Sequence, residues 1–120
     1  MSLILKSGIR VLVYSEPIDM RAGFSKLQAL VAEKMKENFF QGNLFLFLGR
    51  NPRRVKILFF DGSGVVLLTK RLDRGSFMRI SDLHETKEIS LDELQRLLDG
   101  VNLRVIYAAA RAQRASIDVA

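Results

Sequence analysis

Three short apolar runs joined by brief connectors constrain this chain most: LFLFL (44–48), VKILFF (55–60) and VVLLT (65–69). Each run has the length of a strand and is bounded by turn-forming glycine, proline, asparagine or aspartate. Strands joined by such short connectors must be antiparallel, so the sequence predicts a β-meander. Because the runs are almost continuously apolar instead of alternating, we expect both faces of the sheet to be buried.

The segments before the meander supply a cover for one of these faces. The run IRVLVYS (9–15) predicts a first strand, which Pro17 ends. Apolar residues then recur at intervals of three and four, which predicts an amphipathic helix over about residues 20–37 with Asp19 as its N-cap. The predicted apolar stripe comprises Met20, Phe24, Leu27, Val31 and Met35. The opposite face then requires either the C-terminal segments or a second chain.

The segments after the meander predict further short elements. Residues 77–80 have the character of a short strand, and Ser90 with Glu93 forms the capping-box pattern of a helix start. We expect Gly100 to end that helix. Residues 104–115 are alanine-rich and basic, which predicts a terminal helix.

Together these elements predict a single α+β domain. We expect an antiparallel β-meander of about 4–5 strands packed against an amphipathic helix, with a second short helix and a basic C-terminal helix. With 120 residues, 48% of them apolar and 27% charged, the chain has the size and composition of one globular domain. We expect residues 1–104 to form this domain and residues 105–120 to be a helical tail of the same unit.

The positive charge is concentrated in and around the meander. The chain carries a net charge of +6, and residues 50–79 alone hold eight basic and two acidic side chains. Such clustering favours a polyanion as partner. The predicted DNA contacts are Arg50, Arg53, Arg54, Lys56, Lys70, Arg71 and Arg74. Alternate residues share a strand face, so Arg54 and Lys56 are expected to project together. The alternative is a solvated rim that discourages aggregation between strand edges.

The residue inventory offers little for catalysis, so we expect a protein that is not an enzyme and holds neither a metal nor a cofactor. The chain has no cysteine, and His84 is its only histidine. No close carboxylate pair or glycine-rich phosphate loop is present. Asp61 is best explained as closing a hairpin turn, and Phe59 and Phe60 as packing on opposite faces of a strand. No apolar run has the roughly 20 residues that span a bilayer, and the first residues do not have the pattern of a secretory signal. These features favour a cytoplasmic protein without a membrane partner.

Three segments resemble one known family: DMRAGFSKL (19–27), LFLFLGRNPRRVKILFFDGSGVVLLTKRLDRGSF (44–77) and ISLDELQRLLDGVNLR (89–104). They are similar to TnpB, the small second-open-reading-frame protein of the insertion sequence sixty-six group of bacterial transposons. The matching motif residues, which we interpret as structural, are Asp19, Met20, Arg21, Gly23, Phe24, Asp61, Gly62 and Gly64. An aromatic pair that is commonly Trp-Trp in the family is Phe59-Phe60 here.

The resemblance implies a non-catalytic accessory protein of transposition, in an element whose transposase is a separate and larger protein. No catalytic residue is carried over from the family. The expected partners are DNA and the transposase or other proteins of the same element, with a homo-oligomer left open. The alternative function is a protein-interaction subunit that docks on the transposase or a sister protein without contacting DNA.

Overall fold

A mixed five-stranded sheet with strand order β4-β3-β2-β1-β5 organises the protein. The structure, a computed structural model, describes residues 8–51, 53–76 and 88–99. Its strands are β1 (Val11–Val13), β2 (Leu44–Leu48), β3 (Arg54–Phe60), β4 (Val65–Arg71) and β5 (Glu88–Ile89). Its helices are α1 (Phe24–Glu33) and α2 (Leu91–Leu98), with a short 3₁₀ turn at Phe39–Gln41. The α+β fold expected from the sequence is thereby confirmed.

The three apolar runs form a β-meander as predicted, and this meander makes up three of the five strands of the sheet. β2 pairs antiparallel with β3, and β3 pairs antiparallel with β4 over its full length. The β3–β4 turn closes on Asp61, whose Oδ1 accepts hydrogen bonds from the backbone N–H groups of Ser63 and Gly64, both at 2.9 Å. Gly62 has a φ of +101°, a conformation that side chains with a Cβ rarely adopt. The hairpin therefore depends on Asp61 and Gly62 in the roles that the sequence indicated.

The expectation of an antiparallel sheet is wrong for one pair of strands, because β1 lies parallel to β2. The connection from Val13 to Leu44 contains α1 and is long enough for the crossover that parallel neighbours require. β1 also pairs antiparallel with β5 on its other side. The sheet is therefore mixed, with the meander at one side and a β-α-β unit at its centre.

Both faces of β2 and β3 are buried, as their continuous apolar runs predicted. Successive residues of β3 point to opposite faces: Ile57 packs in a cluster with Leu94 and Leu97 of α2. Leu58 packs in a second cluster with Leu27 and Val31 of α1. β4 is less covered, because it has no strand partner beyond it among the described residues, and its second half is exposed.

Helix α1 is shorter than predicted, and Asp19 is not its N-cap. The helix begins at Phe24, and its N-cap is Gly23, which is extended and contributes no side-chain cap. The backbone N–H of Ala22 bonds to the Asp19 carbonyl at 3.0 Å, so a separate turn precedes the helix. Glycine is a poor helix former, which accounts for the break at this point. Phe24, placed in the predicted stripe, is 50% exposed.

Helix α2 begins with the predicted capping box. The Ser90 hydroxyl accepts a hydrogen bond from the Glu93 N–H at 3.0 Å, and the Glu93 carboxylate accepts one from the Ser90 N–H. Asp99 is the C-cap. The predicted strand at 77–80, the helix stop at Gly100, the terminal helix at 104–115 and the boundary after residue 104 lie outside the described residues.

Candidate nucleic-acid interface

Five arginines meet at one end of the meander. The β2–β3 turn carries Arg50 and Arg53, β3 begins at Arg54, and β4 ends at Arg71, which the register places opposite Arg54. Arg74 follows three residues later, and all five residues are exposed. We call this surface, formed by Arg50, Arg53, Arg54, Arg71 and Arg74, the basic end.

The backbone around the basic end is fixed by hydrogen bonds. The N–H of Gly49 donates to the Arg54 carbonyl at 3.1 Å, and the N–H of Leu72 donates to the Arg53 carbonyl at 2.9 Å. The Asn51 Oδ1 accepts from the Arg53 N–H at 3.1 Å. The turn and the two strand ends are therefore held in a defined register before any ligand arrives.

The charges of the basic end are not neutralised within the described part of the chain. The ion pairs there join Arg10 to Glu88, Arg21 to Asp19 and Arg96 to Asp92. None of the five arginines of the basic end takes part in them. Asp73 lies between Arg71 and Arg74 in the sequence, but no ion pair joins it to either residue. The surface is accordingly suited to an external anion.

Two of the seven predicted DNA contacts are engaged elsewhere. Lys56 shares the sheet face of Arg54, but it is only 8% exposed and its Nζ donates to the Ala22 carbonyl at 2.7 Å. Lys70 is exposed, and its Nζ donates at 2.6 Å to the carbonyl of Leu98, the last residue of α2. A lysine at that position complements the negative end of the helix dipole. The structure thus brings together five of the seven residues and not Lys56 or Lys70.

The motif segment that precedes α1 packs against the basic end. Ile18 forms a bridge with Gly49, and its N–H donates to the Leu48 carbonyl at 2.9 Å. A Cβ added to Gly49 would come within 3.1 Å of the Met20 side chain. Together with the Lys56 bond to Ala22, these contacts attach residues 19–23, which we call the motif loop, to the β2–β3 turn.

An ion pair stabilises the shape of the motif loop. The Arg21 guanidinium donates to both carboxylate oxygens of Asp19, with an Nη2–Oδ2 distance of 2.7 Å. The Asp19 Oδ1 also accepts the backbone N–H of Arg21 at 2.9 Å. These hydrogen bonds from Arg21 lower the pKa of the Asp19 carboxyl well below its ordinary value. The motif interpretation of both residues as structural is consistent with this geometry.

The other motif residues lie at the opposite end of the β3–β4 hairpin. Asp61, Gly62 and Gly64 form its turn, and the seven residues of β3 separate them from Arg54 by roughly 20 Å. Backbone hydrogen bonds from Ser63 and Gly64 lower the pKa of the Asp61 carboxyl. This arrangement favours a structural role for the turn.

The aromatic residues of the sheet are also distant from the basic end. Phe59 is buried in the α2-side cluster, and Phe60 packs on the α1 side, so the expectation that they occupy opposite faces is confirmed. Phe60 makes edge contacts with Phe39 and Phe40. Phe40 is 65% exposed. Base stacking by Phe59 or Phe60 beside the arginines is therefore not part of this site.

Two further features of the described ranges 8–51, 53–76 and 88–99 bear on other functions. Within them, no three histidine, cysteine, aspartate or glutamate side chains are grouped so that they could hold a metal ion. Within the same ranges, no helix has the length and apolar character needed to cross a membrane.

Comparison with known proteins places the chain in a family. The family model described as "IS66 Orf2 like protein" matches residues 9–108. Uncharacterized protein y4hO of Sinorhizobium fredii is 42% identical over 103 residues, which cover 84% of this chain and 90% of the relative. Uncharacterized protein y4jC of the same organism is 30% identical over 95 residues, or 79% of this chain and 81% of the relative. No solved structure matches the chain. The chain therefore belongs to the IS66 Orf2-like family of insertion-sequence accessory proteins.

Proposed function

We propose that this accessory protein binds DNA through its basic end and thereby assists the separate transposase of its element. The observation that carries the proposal is the convergence of five exposed arginines, none of which has an ion-pair partner in the described part of the chain. Family membership supplies the context, because transposition acts on DNA. The role requires no catalytic residue.

The geometry favours contact with the DNA backbone over reading of the bases. Arginine presents a rigid fork of donors that matches phosphate oxygens. The arginines stand on a turn and on strand ends, and among residues 8–51, 53–76 and 88–99 no helix projects from this surface as a groove-reading element. Phosphate contacts position a protein on the duplex and carry little sequence information. We therefore expect affinity that depends strongly on salt and weakly on base sequence.

Fluorescence anisotropy of a labelled duplex across a salt series tests the proposal. Each neutralised phosphate contributes about 0.9 to the slope of log affinity against log salt, so four or five phosphates held by the five arginines predict a slope of roughly −3.5 to −4.5. Arg53→Glu combined with Arg54→Glu should reduce binding by at least tenfold and flatten the slope. The control, Lys34→Glu with Lys36→Glu, makes the same change in net charge on exposed residues outside the basic end.

The outcomes of this experiment are distinct. Selective loss in the Arg53/Arg54 variant supports the proposal. Equal loss in both variants would mean that net charge alone draws the protein to DNA. Absence of binding at about 50 mM salt, where electrostatic attraction is strong, would contradict it.

Docking on a protein partner is the second candidate. The sequence favoured this function because an apolar face of the sheet was expected to be uncovered. The structure weakens that argument, since α1 and α2 cover β2 and β3 on both sides. The observation that still favours it is Phe40, which is 65% exposed and held by edge contacts with Phe39 and Phe60. Phe40→Ser should then abolish capture of the transposase and leave DNA binding intact, whereas charge reversal at the basic end should do the opposite.

A further inference from the structure

Arg54 and Arg71 form an unusual pair, because the β3–β4 register places the two like charges directly opposite one another. Such cross-strand pairs are destabilising when nothing lies between the charges. The backbone register fixes this pairing, because it continues without a break through every residue from Arg54 to Phe60. The fold thus holds the two arginines directly opposite one another at the last pair of the ladder.

The hydrogen-bond pattern brings the Cα atoms of these two residues close. The N–H of Leu72 donates to the Arg53 carbonyl at 2.9 Å, so residues 53 and 72 form a hydrogen-bonded pair. Pairs alternate along an antiparallel ladder, and the adjacent pair is therefore of the closer, non-hydrogen-bonded kind, with Cα atoms about 4.5 Å apart. Arg54 and Arg71 occupy that position on the α1 face of the sheet.

The described surroundings add positive charge, and no carboxylate among the described residues forms an ion pair with either arginine. Lys56 lies two residues from Arg54 on the same strand face, with its ammonium bonded to the Ala22 carbonyl. Neither arginine forms an ion pair or side-chain hydrogen bond within the described part of the chain. Both remain exposed, so an external anion can reach the gap between them.

We propose that Arg54 and Arg71 together bind one phosphate group, which lies between the two guanidinium forks. The negative charge would convert the repulsion of the pair into two charge-assisted hydrogen-bonding contacts. The inference rests on the proposed function for its natural ligand, a phosphate of the DNA backbone. The site itself is a property of the β3–β4 ladder and is testable with inorganic phosphate alone.

Thermal unfolding in sodium phosphate, compared with sodium chloride at equal pH and ionic strength, tests the site without DNA. Phosphate at ten times its dissociation constant raises the folded-to-unfolded ratio about 11-fold, which corresponds to a Tm increase on the order of 5 °C. Wild-type protein and the control Lys34→Thr, at an exposed residue outside the basic end, should both show this increase. Arg54→Thr and Arg71→Thr should lack it, and in chloride they should melt at or above the wild-type Tm because the repulsion is removed. Threonine is a good strand former, so the ladder is retained.

An equal phosphate response in all four proteins, or no response in any of them, would overturn the proposal. So would a lower Tm of Arg54→Thr and Arg71→Thr in chloride, since that result would mean that the pair is not repulsive in the absence of phosphate.

The DNA salt series then distinguishes one shared phosphate from two separate contacts. If the arginines share a phosphate, the double variant Arg54→Thr/Arg71→Thr should reduce the salt slope by about 0.9. The matched double variant Arg50→Thr/Arg74→Thr, whose residues lie on different segments, should reduce it by about 1.8. A reduction of about 1.8 for both would overturn the shared site. A phosphate-dependent Tm in a protein that does not bind DNA would uphold the site and contradict the proposed function.

Discussion

Lys56 shows how far a residue's role depends on what packs above it. In the sequence it is one of a cluster of basic residues, and alternation places it on the same face as Arg54. In the structure the motif loop covers it, and its ammonium bonds to the Ala22 carbonyl at 2.7 Å. Sequence alone could identify the strand face, but it could not show that a loop 34 residues earlier in the chain would cover that face.

Lys56→Met should therefore lower stability without changing the electrostatics of DNA binding. The substitution keeps an apolar stem but leaves the buried Ala22 carbonyl without its donor, at a cost of about 1–2 kcal/mol. Urea unfolding measures the loss, and the DNA salt slope should equal that of wild type. Lys70→Met, which removes a similar bond from an exposed lysine, should change stability by less than about 0.5 kcal/mol. A slope reduced by about 0.9 in Lys56→Met would instead identify Lys56 as a phosphate contact.

A second prediction at the residue scale concerns how Asp19 affects the stability of the fold at acid pH. Its pKa is lowered in the folded state by hydrogen bonds from Arg21, so its ionised form stabilises the fold above the unfolded-state pKa of about 3.9. That contribution is lost as the pH falls below about 4 toward the lower, folded-state pKa. Asp19→Asn removes the charge, and its Tm should decrease less than the wild-type Tm between pH 5 and pH 2.

Thermal melts at a series of pH values provide this measurement. Asp73→Asn is the matched control, since Asp73 is an exposed carboxylate in a turn and forms no ion pair within the described ranges. It should follow the wild-type pH dependence. If Asp19→Asn also follows it at every pH, the Arg21 pair contributes nothing to acid stability.

At the scale of elements, the sequence predicted the positions of individual strands and helices better than it predicted how the strands pair. The strands of the meander and the start of α2 were identified because turn residues and the Ser90 capping box act over a few positions. The parallel pairing of β1 was not, because it depends on the direction of a crossover between segments 31 residues apart. The start of α1 was misplaced because Asp19 suits both an N-cap and a turn, and its bond to Arg21 decides for the turn.

For the candidate site too, local sequence features were predicted and long-range contacts were not. Clustered charge in the sequence identified all five arginines of the basic end, and turn chemistry placed them at strand ends. The contact between the motif loop and the β2–β3 turn could not be predicted, because it arises from the bridge of Ile18 to Gly49 and from the Lys56 bond. These are long-range contacts, and no local pattern encodes them.

Gly49→Ala tests the contact between the motif loop and the β2–β3 turn. The added methyl would lie 3.1 Å from the Met20 side chain and 3.2 Å from the Asn51 carbonyl oxygen. Crowding of this kind should lower stability by about 1–2 kcal/mol and weaken DNA binding by displacing the turn. Gly64→Ala is the control, because a Cβ there meets nothing within 4 Å, and its stability should stay within about 0.5 kcal/mol of wild type. Equal stabilities for the two variants, measured by urea unfolding, would show that Met20 does not restrain the turn.

At the scale of the whole molecule, the two ends of the meander differ in chemistry. The basic end carries the arginines and adjoins the motif loop, whereas the other end carries the Asp61–Gly64 turn and the exposed Phe40 beside Phe60. The sheet between them is buried on both faces at β2 and β3 and separates the two ends. Under the proposed function, the basic end contacts DNA and the end that carries Phe40 is left available to a protein partner.

The most direct test of DNA binding by the basic end is to map the DNA contact by NMR. Amide ¹H–¹⁵N spectra of the labelled protein would be recorded while an unlabelled duplex is added at low salt. DNA binding by the basic end predicts that chemical-shift changes concentrate at residues 49–51, 53–54 and 70–76, extend into the motif loop at 19–23, and leave residues 39–42 and 61–64 unchanged. Changes concentrated around Phe40 and the Asp61–Gly64 turn, with the basic end unaffected, would contradict it.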